Sequence, residues 1–205
     1  MSDCLRRRHR QEAPVTKGSR FIATAAPVTD EGAARAFLAG VEAELPDATH
    51  HCWAWRIEEP AIDRAGDAGE PGGSAGRPIL AQLVGRNLVD TAVIVSRWFG
   101  GTKLGVGGLV RAYGGAAALV LDNAVTVPRR RWVPVSVTHL YADGEAVERA
   151  LSAWEVDELD VVYGATVTRH LKISDLEQDP LAAALADATA GRVVLEPGPP
   201  DPPAA

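Results

Sequence analysis

The segment Arg97–Tyr113 (RWFGGTKLGVGGLVRAY) constrains the chain more than any other, because it sets Arg97, Lys103 and Arg111 among five glycines between two apolar runs. Ahead of it, Val89–Val95 (VDTAVIV) is β-branched and suits a buried strand. Behind it, Leu109–Ala124 is rich in Ala, Leu and Val and favours a helix. The glycines therefore fall in a strand-to-helix loop. Gly100, Gly101, Gly105, Gly107 and Gly108 permit positive φ or close backbone approach, and the loop ends where a helix offers free N–H groups and the positive end of its dipole. Two readings stand side by side: an anion or nucleic-acid surface, or tight turns and close helix packing. Named phosphate loops do not fit. A Walker A loop needs Ser or Thr after its lysine, whereas Lys103 is followed by Leu104. A dinucleotide fingerprint running from Gly105 and Gly107 needs a glycine where Val110 stands.

Charge separates the two ends of the chain. Residues 1–131 hold 17 Lys/Arg against 14 Asp/Glu, a balance of +3, and residues 132–205 hold 4 against 13, a balance of −9, within a total of −6. A nucleic-acid footprint belongs on the first part, since the second would repel phosphate. The acidic part suits solvent or a protein partner. At 205 residues and 46% hydrophobic, the chain can bury one large or two small cores. Cys4 and Cys52 are too few for a disulfide scaffold and read as free thiols of a reducing compartment. No apolar signal-peptide core follows Arg6, Arg7, Arg8 and Arg10, and no apolar run reaches the roughly 20 residues a membrane helix needs. A cytoplasmic protein with no membrane partner is expected.

Periodicity gives the elements. A strand is expected over Arg20–Ala25, and a helix over Glu31–Leu45 with Asp30 as N-cap. Thr49–Ile57 alternates, with Trp53, Trp55 and Ile57 on one side and Cys52, Ala54 and Arg56 on the other, as a half-buried strand does. Glu58–Ser74 reads as a long loop. Pro78 opens a short helix with Ile79, Leu80, Leu83 and Val84 inward. After a basic linker near Pro128 come a strand at Val133–Tyr141, a helix capped by Asp143, a hairpin about Gly164, a helix at Pro180–Ala190 and a strand at Gly191–Leu195. This is βαββαβ, the ferredoxin-like order. The organisation expected is a basic disordered tail (1–14), an N-terminal domain (15–128), a ferredoxin-like C-terminal domain (132–196) and a disordered Pro-rich tail (197–205), in the α+β class.

A second loop, Asp67–Leu80 (DAGEPGGSAGRPIL), sharpens the reading. Together with Arg97–Tyr113, and with Lys17–Val28 (KGSRFIATAAPV) and Ala48–Ile57 (ATHHCWAWRI), it resembles the YigZ/IMPACT family over roughly residues 15–125. Ala68 stands where many relatives carry a second acid, and Trp98 where Tyr is usual. The resemblance implies an N-terminal α/β domain of the ribosomal-protein and elongation-factor domain IV type, ahead of a ferredoxin-like domain similar to one of elongation factor G. It also implies a link to translation, since the eukaryotic relatives look like regulators of the amino-acid-starvation response acting through protein partners.

Catalytic patterns are weak. Gly72-Gly73-Ser74-Ala75-Gly76 spells G-x-S-x-G, but DAGEPG is a poor strand on which to build a nucleophile elbow. His50, His51 and Cys52 are adjacent strand residues that alternate in face, which argues against a metal set. Asp67 and Glu70 are candidate paired carboxylates, although an acid beside glycines commonly accepts backbone N–H groups in a turn. The expected reading is a non-enzymatic binding protein without metal or cofactor. It would meet RNA or the ribosome through Arg97, Lys103 and Arg111, with Arg77 and Arg86 nearby, and Trp98, Phe99 and Tyr113 would stack if exposed. The alternative is an enzyme or binder for a small phosphorylated ligand held by the same loop, with Glu70 or Asp67 as base.

Overall fold

The computed structural model describes residues 2–198 and divides the chain into two compact units, Met1–Arg129 and Arg130–Ala205. Both are mixed α+β. In the first unit the elements are β1 (Asp3–Leu5), β2 (His9–Thr16), β3 (Ser19–Pro27), α1 (Glu31–Glu44), β4 (His50–Ile57), β5 (Ile62–Gly66), α2 (Gly76–Gly85), β6 (Thr91–Trp98), α3 (Val106–Asp122) and β7 (Thr126–Pro128). Strands β2-β3-β6-β4-β5 form an antiparallel sheet in that spatial order, and β1 pairs with β7 in a separate ribbon.

Alternation along the strands gives this sheet two covered faces. Phe21, Ala23 and Ala25 of β3, Cys52 and Ala54 of β4, and Val93 and Val95 of β6 pack with Ile79 and Leu83 of α2 and Leu109, Tyr113 and Val120 of α3. On the other face Trp55, Ile57 and Ala92 meet Ala34 of α1, with Trp53 stacked on Trp55 at 3.9 Å between ring centroids. Small residues opposite the helices let α2 and α3 lie close to the sheet. Asp30 caps α1, its Oδ1 accepting the Ala33 N–H at 2.8 Å.

Three expectations are corrected in this unit. Residues 1–14 are not a disordered tail: β2 pairs with β3 from His9 to Thr16, Leu5 is buried in the core, and Arg8 and Arg10 pair with Glu44 of α1. Arg8 and Arg10 thus cover a helix flank, and the segment from His9 is an edge strand with a half-polar face. The Glu58–Ser74 loop contains β5, a short edge strand paired with β4. Val84 is 48% exposed, because the inward face of α2 is set by Ile79 and Leu83.

The second unit runs β8 (Trp132–His139), α4 (Gly144–Leu151), β9 (Asp157–Tyr163), β10 (Val167–Ser174), α5 (Gln178–Ala188) and β11 (Leu195–Pro197), with antiparallel sheet order β11-β8-β10-β9. Val135, Val137, Leu171 and Ile173 pack on Val147 of α4 and on Leu181 and Leu185 of α5. Asp143 does not cap α4. Its carboxylate instead accepts from Arg192 at 2.6 Å, which holds it below the usual carboxylate range. At the C-terminal end, Pro197 pairs with Val135 and the Gly198 N–H donates to Pro134, so 197 and 198 are not part of a disordered tail; the rest of the expected Pro-rich tail, residues 199–205, lies outside the described residues.

Candidate functional site

Two loops of the first unit meet around the start of α3. In the first, the Asp67 carboxylate gathers three backbone donors, the N–H groups of Gly73 (2.7 Å), Ala75 (2.9 Å) and Gly76 (2.8 Å). Ala75 has no side-chain cap of its own, so Asp67 supplies from outside the acceptor that α2 needs at its N-terminus. Burial pushes the Asp67 pKa up, but the three N–H donors and the charge of Arg77 together leave it lowered. Gly76 is required by space: a Cβ there would lie 2.7 Å from the Gly66 nitrogen. Ser74 is buried and donates to the Pro71 carbonyl at 2.6 Å, a turn-closing role.

Behind this loop lies a buried polar knot. Arg97 Nη1 donates to Glu70 Oε1 at 2.6 Å, with both side chains 5% exposed, and the Tyr113 hydroxyl donates to the same oxygen at 2.7 Å. Arg97 Nη2 donates to Ser19 Oγ at 3.1 Å, and Ser19 also accepts the Gly100 N–H at 3.2 Å. One carboxylate thereby ties the Asp67 loop to β6 and α3, and one hydroxyl ties β3 to the Gly-rich loop. Cys52 donates to the Asp67 carbonyl at 3.0 Å, and burial pushes its thiol up to about 12. Burial also raises Tyr113 well above the ordinary phenol range.

Several sequence readings change as a result. Arg97 is not a surface cation, Glu70 is not a free base, and Tyr113 is a core residue edge-on to Phe21 rather than a stacking platform. Arg86 pairs with Asp122 and is likewise engaged. Ser19 carries no motif signal of its own beyond its place in Lys17–Val28, and only the fold brings it to Arg97 and Gly100. Gly100 is architectural, since a Cβ on it would lie 1.9 Å from the Gly18 carbonyl carbon.

The outer side of the Gly-rich loop is different. Lys103 and Arg111 are exposed, as is Lys17 beside them, and none of the three forms an ion pair with a described residue; the same holds of Arg6, Arg7, Arg64 and Arg77 elsewhere in the unit, so what marks these three is their place around the start of α3. Gly105 sits at the N-cap of α3 with φ 72°; no side chain caps this helix and no acid lies in its first turn. Gly107 and Gly108 follow in that turn, and Gly101 has φ 83° in the open loop. A cleft of about 330 Å³ opens here, lined by the apolar Pro71, Phe99, Leu104, Val106 and Leu109 together with Lys103, Gly105, Glu70 and Arg97. A neighbouring recess of about 180 Å³ is lined by Lys17, Arg111 and Gly108 and shares Leu104. Arg77 is exposed but lines neither; its side chain passes Gly73.

Residues 17–121, which contain every member of this constellation, match the model of the Impact N-terminal domain. The chain belongs to the IMPACT family. It is 35% identical over 191 residues to the IMPACT family member YigZ of Escherichia coli K12, covering 89% of this chain and 94% of that one. It is 40% identical over 184 residues to an IMPACT family member of Thermus thermophilus, covering 89% and 99%. A crystal structure of a hypothetical protein superimposes with TM-score 0.71 at 30% identity over 98% of this chain and 100% of that chain.

The IMPACT-family sheet also accounts for the histidines beside the site. His50 Nδ1 meets the Ala68 carbonyl at 2.8 Å, and His51 Nδ1 meets Ser96 Oγ at 2.9 Å, with burial lowering the His51 pKa. Among the described residues no group of three His, Cys, Asp or Glu side chains could hold a metal ion, and no helix is long and apolar enough to cross a membrane.

Proposed function

We propose that this IMPACT-family chain is a non-enzymatic, cytoplasmic, translation-linked binding protein that holds RNA or a ribosomal surface through the outer side of its Gly-rich loop. The observation that carries this reading is the cluster of exposed, unpaired cations Lys17, Lys103 and Arg111 around an uncapped helix N-terminus. A helix start without an acceptor and three cations without carboxylates all favour a phosphate ligand. Such charges add little to folding stability, so their concentration at one place asks for a partner. The family resemblance supplies the direction towards translation. The element order of the second unit and its sheet order β11-β8-β10-β9 support the ferredoxin-like reading, and the balance of −9 over residues 132–205 suits a protein partner rather than nucleic acid. The resemblance likewise supports an N-terminal domain of the ribosomal-protein and elongation-factor domain IV type.

The cleft of about 330 Å³ favours a second reading, a binder for a small phosphorylated ligand, since small-molecule sites begin near 300 Å³. Catalysis has less support, because Asp67 holds three N–H groups and Glu70 is bound by Arg97 and Tyr113.

Titration with RNA at several salt concentrations tests the first reading. Lys103→Glu should weaken binding by about tenfold to a hundredfold, the equivalent of roughly 1.5–3 kcal/mol for a charge-assisted contact, and should flatten the log–log salt slope. Equal affinity and slope for Lys103→Glu, Arg111→Glu and the native chain would remove the anion site. A phosphorylated metabolite that raises the melting temperature while RNA does not bind would favour the second reading.

A further inference from the structure

We infer that the cleft beside α3 takes one unpaired nucleotide of an RNA strand, with the base against Phe99 and the phosphate against Lys103 and the first N–H groups of α3. The inference rests on the RNA reading above and adds to it the form of RNA that is bound. Phe99 is 47% exposed, yet it is not on a loose loop. Its own N–H donates to Thr49 Oγ1 at 3.1 Å, and the next N–H, that of Gly100, donates to Ser19 Oγ. The backbone that carries the ring is therefore set in place before any ligand arrives, which lowers the ordering cost of stacking.

The surroundings of the ring select a flat apolar group joined to an anion. Pro71, Leu104 and Leu109 give the cleft apolar walls, while Lys103 and the uncapped start of α3 add positive character. Glu70, the carboxylate in the lining, already accepts from Arg97 and Tyr113, so its charge is compensated. Arg97 Cζ lies over the Phe99 ring, 5.5 Å from its centroid, so part of the ring is held against a cation and its exposed part is left for a base. A nucleotide joins a planar base to a phosphate and meets both demands. Bases inside a duplex are stacked on each other and have no free face to lay on a protein ring, so the strand must be single.

The test is fluorescence anisotropy with a labelled, unstructured U-rich RNA, a duplex of equal length, and uridine monophosphate as competitor, using the full chain and the variants Phe99→Ala and Phe99→Tyr. The single strand should bind more tightly than the duplex. Phe99→Ala should weaken single-strand binding about tenfold with the salt slope unchanged, as loss of one stacked base does, and Phe99→Tyr should bind as the native chain does. Unaltered thermal unfolding of Phe99→Ala excludes misfolding as the cause. Single-strand binding that ignores Phe99→Ala, or a duplex that binds equally well, overturns the single-strand slot while leaving RNA binding in place. Competition by uridine monophosphate at the concentration where the oligonucleotide competes returns the cleft to a free small ligand and overturns the strand as occupant. Absence of binding to either RNA overturns this inference together with the reading on which it rests.

Discussion

Arg97 and Lys103 belong to one short motif, carry the same charge and line one cleft, but the first is buried against Glu70 and Ser19 while the second stands exposed and unpaired. The glycines divide in the same way. Gly100 packs backbone to backbone against Gly18, whereas Gly101 and Gly105 have open space where a side chain would go. One half of the motif holds the first unit together, and the other half presents donors to solvent. A sequence signature of this kind therefore mixes two selective reasons, and burial is what separates them.

The largest effect that separates the halves is expected at Glu70. Glu70→Ala would leave Arg97 buried without its carboxylate and Tyr113 without its acceptor, a loss of about 3–5 kcal/mol by analogy with other broken buried pairs. Lys103→Glu should change stability by no more than about 0.5 kcal/mol, because the residue is exposed and has no partner to lose. Urea unfolding of the two variants makes the comparison directly. If both shift the midpoint equally, the division into a structural and a presenting half fails.

A smaller loss, about 1.5 kcal/mol, is expected for Asp67→Asn, which replaces a charged acceptor of three N–H groups by a neutral one on a partly exposed loop. Its pH dependence has a definite sign. The folded pKa lies below the ordinary 3.8, so the carboxylate's contribution is fully present above that value and disappears as pH falls through the lower folded value. Native protein should therefore lose stability below about pH 4 more steeply than Asp67→Asn does. Parallel acid-unfolding curves for the two would place the role of Asp67 elsewhere.

Local pattern carried much of the fold. The two-residue period of Thr49–Ile57 separates Trp55 and Ile57 from Cys52 and Ala54, and those sets do fall in different cores. The strand, glycine loop and helix around Arg97–Tyr113 were equally legible, as was the tendency of Asp67 to hold backbone N–H groups. What escaped depended on partners distant in sequence. Residues 9–16 look like a polar tail until β3 pairs with them, and Ile62–Gly66 is too short and polar to show as a strand without β4. Asp143 has the type and place of a helix cap, but it lies in a 3-10 turn with helical backbone angles and its carboxylate is taken by Arg192. Within the site, Glu70 and Arg97 are 27 positions apart, so spacing gave no sign that each neutralises the other.

The smallest effect, and the sharpest one for the presenting half, is expected at Gly107. It lies in the first turn of α3 and is exposed, and a Cβ built there would sit 3.6 Å from Arg111 Nη1, an ordinary contact. Its φ is not positive, so alanine fits the backbone without strain. Gly107→Ala should therefore raise stability by about 0.5 kcal/mol, somewhat less than the full helix-propensity difference because the position is close to the helix end. The same methyl group would stand between a phosphate and the free N–H groups, so RNA affinity should fall while the melting temperature rises. That opposition is the signature of a glycine kept for close approach of a ligand. If stability rises and RNA affinity is unchanged, Gly107 serves only the start of the helix, and the phosphate contact must rest on Lys103, Lys17 and Arg111 alone.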